Sequence, residues 1–193
     1  MKSQQKTLLG LAALFLTPLV AALVLFFGPS SWYPEPATAG VLISPAQPLQ
    51  PLVLKELSGA TVELEALKGR WILVYPQSTA CNSACEELLA QLVQLQTALG
   101  EDRHRLSLLF VVAEPPEELA AFESLARKLP RQQVLLETAG EPGLLDQLGW
   151  RAELDRMYLV DALGNYLMYY PAAEGPRSVL SDLEHLMKHS ANG

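Results

Sequence analysis

Apolar and polar positions change period several times along the chain, and each change marks an element. From Thr7 to Phe27 there is no charged residue, and Leu, Ala, Val and Phe dominate without leaving a polar face. That is about the 20 residues a helix needs to cross a bilayer core. Gly28 to Pro51 breaks the pattern, with prolines at 29, 34, 36, 45, 48 and 51. Such a run lacks donors for a regular ladder and favours extended, semi-rigid backbone, so it predicts a linker. Leu52–Leu57 and Thr61–Leu64 flank Ser58-Gly59 as a short hairpin. Trp71–Tyr75 and Arg105–Val112 are continuous apolar runs, the pattern of strands covered on both faces. Between them Leu88, Leu92, Leu95 and Leu99 fall on one helical face, and Gly100 ends that helix.

Pro115-Pro116 breaks the second strand, and Glu117–Lys128 resumes a helical period with acids early and Arg127 and Lys128 late. Gln133–Glu137 reads as a short strand, and Glu141–Leu148 as a short helix before Gly149. Met157–Val160 and Tyr166–Tyr170 make a hairpin around Asp161-Ala-Leu-Gly164-Asn165, and an amphipathic helix runs from Ser178 to about His189. This order predicts an α/β domain over residues 52–193, a central mixed sheet with helices on both faces.

Charge orients the chain. Lys2 and Lys6 precede the apolar run and no acid lies before Glu35. The positive-inside rule then makes residues 1–6 a cytoplasmic tail and 7–27 a single-pass anchor in the lipid bilayer. The domain faces the periplasm of a bacterial inner membrane. Ala37-Thr-Ala39 has the small-x-small pattern of a cleaved signal, but it lies too far beyond the apolar run, so the anchor is expected to stay. All 21 acids, but only 12 of the 14 basic residues, follow residue 30, giving this part a net charge of about −9. That argues against a nucleic-acid partner.

The chemistry concentrates in two residues. Cys81 and Cys85 are the chain's only cysteines, placed between a buried strand and a helix. Two thiols three residues apart at a helix mouth can exchange disulfides, hold a soft metal ion such as Cu(I), or close a structural bridge. Ser83-Ala-Cys-Glu86 reads as a capping box with Ser83 at the N-cap. Cys85 then lies in the first turn, where free amides favour a thiolate, and Cys81 lies just outside, more exposed. His104 sits in a charged turn, and His185 and His189 are an i, i+4 pair on the last helix, read as surface residues. Met157, in an apolar strand, is read as core rather than as a thioether ligand. Tyr166, Tyr169 and Tyr170 read as strand packing beside the late hairpin.

These features together resemble the SCO/SenC family of thioredoxin-like proteins. The likeness rests on the anchor, the early hairpin, Gly69-Arg-Trp-Ile-Leu-Val-Tyr-Pro76, the Cys-x-x-x-Cys spacing and Tyr158-Leu-Val-Asp161-Ala-Leu-Gly164. It implies a thioredoxin-like fold and a role as an accessory factor in cytochrome c oxidase assembly. Cys81 and Cys85 would exchange disulfides or hold Cu(I) transiently. The implied partners are the copper-site subunit of the oxidase or other assembly factors. Two departures qualify the likeness. The family's third copper ligand, a histidine about eight residues before the hairpin aspartate, is matched here by Glu153, and Trp150–Arg156 contains no histidine. The cis-proline of thioredoxin-type oxidoreductases is also missing, with Asp155 and Arg156 in its place. Little stable Cu(II) binding is therefore expected, since Cu(II) prefers nitrogen and oxygen donors. The competing readings are a general periplasmic thiol–disulfide oxidoreductase and a non-catalytic interaction module with a structural disulfide.

Overall fold

The computed structural model describes residues 2–28, 38–77, 81–113, 127, 133–137, 142–150, 156–171 and 174–190. The chain divides into two units, Met1–Ala37 and Thr38–Gly193. The first unit holds helix α1 (Lys2–Phe26), which starts five residues before the expected span and continues through Pro18. Among the described residues no helix is long and apolar enough to cross a membrane.

The second unit is built on one eight-stranded mixed sheet. Its strands are β1 (Val41–Pro48), β2 (Val53–Glu56), β3 (Thr61–Glu63), β4 (Trp71–Gln77), β5 (Leu106–Val112), β6 (Gln133–Glu137), β7 (Arg156–Val160) and β8 (Asn165–Pro171). Their order across the sheet is β1-β8-β7-β4-β5-β6-β2-β3. β4, β5 and β6 run parallel at the centre, and β7, β8 and β1 extend one side antiparallel. Helices α2 (Ser83–Ala98) and α4 (Gly175–His189) cover one face, and α3 (Leu144–Gln147) contributes to the other.

The uninterrupted apolar runs follow from this layering. Successive side chains of a strand point to opposite faces, so a strand covered on both sides needs an apolar residue at every position. Trp71, Leu73 and Tyr75 join the core beneath α2 and α4, while Ile72 and Val74 join the core with Leu144, Leu145 and Trp150. The late hairpin explains the Asp-x-x-Gly spacing. Asp161 Oδ1 accepts from the amides of Leu163 and Asn165, its Oδ2 accepts from Asn165 Nδ2, and Gly164 takes a φ of 90°. An L side chain rarely adopts that backbone conformation, which is why glycine stands there.

One expectation is corrected. Residues 41–48, read as part of a linker, form β1 on the outer edge of the sheet, paired with β8. Val41 faces Tyr169 and Leu42 faces Met168, and the register slips before Gln47 faces Tyr166. An edge strand bonds on one side only, so Pro45 and Pro48 are tolerated there. The expected helix over Glu117–Lys128 lies outside the described residues, apart from Arg127, which is helical.

Candidate redox and metal-handling site

Parallel strands present their carboxyl ends to a common edge, where open α/β sheets place their sites. β4 ends at Gln77, residues 78–80 follow, and Cys81 arrives at the start of α2. The N-cap is Asn82 rather than Ser83. Its Oδ1 accepts from the Cys85 amide at 2.9 Å, and its carbonyl accepts from Glu86 N. Asparagine is among the strongest N-caps, because its amide oxygen reaches the third helical amide. The shift of one residue leaves Cys85 in the first turn.

The two cysteines are bonded as a disulfide, with Cα atoms 5.3 Å apart, inside the range such a bridge spans without backbone movement. Cys85 is 7 % exposed and Cys81 is half-buried. Both pack on the core that holds Tyr75, Leu89, Phe110 and Met157. Met157 is fully buried there, as expected of a core residue. The helical face differs from the expected one in a single position: Leu89 is buried with Leu92, Leu95 and Leu99, and Leu88 is half-buried.

No histidine joins the cysteines. Among the described residues no group of three or more His, Cys, Asp or Glu gathers to hold a metal, and Glu153 lies outside them. His104 closes the turn before β5, where a ring nitrogen donates to the Glu101 carbonyl at 2.7 Å. His185 and His189 line a cleft with Trp71, at the amino end of β4. Six residue steps separate Trp71 from Gln77, roughly 20 Å along an extended strand, so this is the end opposite the cysteines.

Polar features of the late hairpin also escaped the sequence pattern. Asp182 of α4 is 3 % exposed. Its carboxylate accepts from Gly40 N at 2.9 Å and Ala39 N at 3.3 Å, tying the start of β1 to the last helix. The Tyr170 phenol donates to Met168 Sδ at 3.0 Å, and burial, then the nearby Asp182 charge, hold it above its ordinary range. Tyr158 and Tyr166 pack edge to face with centroids 5.8 Å apart, and burial pushes both phenols up to about 12. The Arg156 guanidinium stacks over Tyr169 at 3.8 Å. A buried aspartate on a helix face otherwise built of Val179, Leu183 and Met187 is the signal that marks Asp182. Its partners, 142 and 143 residues away in the chain, cannot be read from spacing.

A family model described as the transmembrane-like, thioredoxin-like, C-terminal domain matches residues 71–190. A Stutzerimonas stutzeri protein named "Putative copper-binding protein" is 29 % identical over 156 residues, 80 % of this chain and 67 % of that one. BsSco, a member of the Sco family of cytochrome c oxidase assembly proteins in which a disulfide switch has been identified, superposes with a TM-score of 0.59 at 18 % identity, covering 78 % of this chain and 99 % of its own. Copper-bound ScoI of Bradyrhizobium japonicum gives 0.52 at 18 % identity over 70 % and 97 % of the two chains. Copper-bound ScoI of Arabidopsis thaliana gives 0.57 at 18 % identity over 73 % and 98 %. The second unit thus has the thioredoxin-like architecture of the Sco proteins, and the chain belongs to the family of the transmembrane-like, thioredoxin-like C-terminal domain.

Proposed function

We propose that this chain is a membrane-anchored accessory factor for cytochrome c oxidase assembly, working through Cys81 and Cys85 by thiol–disulfide exchange, transient Cu(I) handling, or both. One observation carries the reading. In a fold shared with Sco proteins, the only two cysteines pair at the carboxyl end of the parallel strands, with one of them accessible. The description of BsSco as a cytochrome c oxidase assembly protein supports the copper-site subunit of the oxidase, or another assembly factor, as client.

The exchange step balances without a further reagent. A partner thiolate attacks Cys81 Sγ, and the Cys85 sulfur leaves as thiolate beside the amides of the first turn of α2. The partner's second thiol then attacks the mixed disulfide and releases Cys81. Two electrons and two protons pass from the partner dithiol to this pair. Once reduced, the two thiolates form a two-sulfur seat that suits Cu(I) cargo, and reoxidation removes both ligands together.

The anchor belongs to the same proposal. Leu11, Leu14, Phe15, Leu19, Val20 and Leu23 of α1 are all exposed, and an apolar helix without a polar face needs a lipid or protein cover. With Lys2 and Lys6 at its start, the domain lies on the periplasmic side of a bacterial inner membrane. Alkaline extraction of membranes should leave the chain in the pellet, and release to the supernatant would remove the anchor from the account. The functional test is complementation of cells lacking the chain. Wild type should restore oxidase copper content, and the Cys81→Ser/Cys85→Ser variant should not. Equal restoration by both would overturn the reading.

A further inference from the structure

We propose a second metal site, remote from the cysteines, in which His185 and His189 of α4 hold one Cu(II) ion by two imidazole nitrogens. The pair lines a cleft of about 440 Å³ with Trp71, Asp161, Leu186 and Ser190. Positions i and i+4 lie one above the other on a helix face, the spacing by which helical histidine pairs chelate metals. The ring spacing is compatible with such a pair. A metal about 2.0–2.1 Å from each nitrogen lies roughly 3.2 Å from each ring centroid, so two adjacent ligands put the centroids about 4.5–5.2 Å apart. The His185 and His189 rings meet edge to face with centroids 4.8 Å apart and planes at 60°, a spacing that falls in that range.

The walls of the cleft bear on what enters it. Trp71 is 4 % exposed, and its buried indole Nε1 has no hydrogen-bond partner among the described residues. Asp161 adds negative charge to the opposite wall, although its oxygens already accept from the hairpin amides. The nearby Arg105 guanidinium is engaged by Asp102 and by the carbonyls of Met187 and Ser190. With two protein nitrogens, the remaining positions fall to water. Such a donor set ranks divalent ions in the Irving–Williams order, with Cu(II) above Zn(II) and Ni(II). The protein would then carry two seats of opposite preference, sulfur for Cu(I) at one end of β4 and nitrogen for Cu(II) at the other. This site departs from the expectation of little stable Cu(II) binding, which rested on the lack of a histidine in Trp150–Arg156, and it stands independently of the cysteine chemistry.

The test uses the full chain in detergent with Cys81→Ser/Cys85→Ser, so that no thiol binds or reduces copper. Titration with Cu(II) should show one equivalent bound, quenching of tryptophan fluorescence, and nitrogen couplings in the electron paramagnetic resonance spectrum. Adding His185→Gln or His189→Gln should weaken that binding at least tenfold, and Zn(II) should bind more weakly than Cu(II). His104→Gln, which changes the only other histidine, should leave affinity unchanged. Circular dichroism confirms that the exposed glutamine variants stay folded. Failure to bind Cu(II), binding that survives loss of either His185 or His189, or binding lost with His104 would each overturn the proposal.

Discussion

Cys81 and Cys85 are chemically the same residue in different surroundings. Cys85 is held in the first turn of α2 by Asn82 and buried against the core, while Cys81 stands half-exposed just outside the helix. Access decides which sulfur a partner reaches first. A Cys85→Ser variant should therefore trap a mixed disulfide at Cys81, detected by mass spectrometry. Trapping only with Cys81→Ser would reverse the assignment. Asp182 makes a second prediction at this scale. Replacing it with Ala leaves the amides of Ala39 and Gly40 without their acceptor, and an orphaned buried polar group costs about 1–3 kcal/mol. Chemical denaturation should show a loss at the upper end of that range, and an unchanged midpoint would contradict the role. Tyr158 and Tyr166 supply a pH dependence. Their pKa values rise from 10.0 unfolded to about 12 folded, so folding favours the neutral phenols. That stability is complete below about pH 10 and is lost as pH rises towards 12. Denaturant midpoints should be flat from pH 8 to pH 9.5 and fall beyond pH 10, with spectrophotometric titration showing the late ionisation.

Among the elements, α2 and β1 show what a sequence discloses and what it withholds. α2 was legible because its leucine period and its Gly100 stop are local signals, although the cap fell one residue early. Asn82→Ala should cost about 0.5–2 kcal/mol, the usual value of an N-cap, and Ser83→Ala much less. Equal losses would return the cap to Ser83. The central strands were legible for a related reason: burial on both faces leaves a continuous apolar run. β1 was not, because its prolines are forbidden only where both edges of a strand must donate. Its place depends on contacts with β8 more than a hundred residues away. Gly40 shows how tight that junction is. A Cβ built there would lie 2.7 Å from the Tyr170 ring and 3.1 Å from the Met168 sulfur. Gly40→Ala should therefore destabilise the domain by about 1–3 kcal/mol through overpacking.

Across the whole molecule, the fold places sulfur and nitrogen donors at opposite ends of β4. The two cysteines adjoin in sequence and were readable as a pair. The cleft of Trp71, His185 and His189 was not, because it joins the start of β4 to the end of α4 across more than a hundred residues. The lack of a histidine in Trp150–Arg156, where the family resemblance implies a third copper ligand, shifts the proposed work of this chain towards thiol chemistry and Cu(I). That claim requires the Cys81–Cys85 bridge to open and close under the conditions of its compartment. Equilibration of the full chain with thiol–disulfide buffers measures this directly. The account predicts a midpoint potential between about −120 and −270 mV, the range of exchanging pairs. A value below about −300 mV would mark a permanent structural bridge and contradict it.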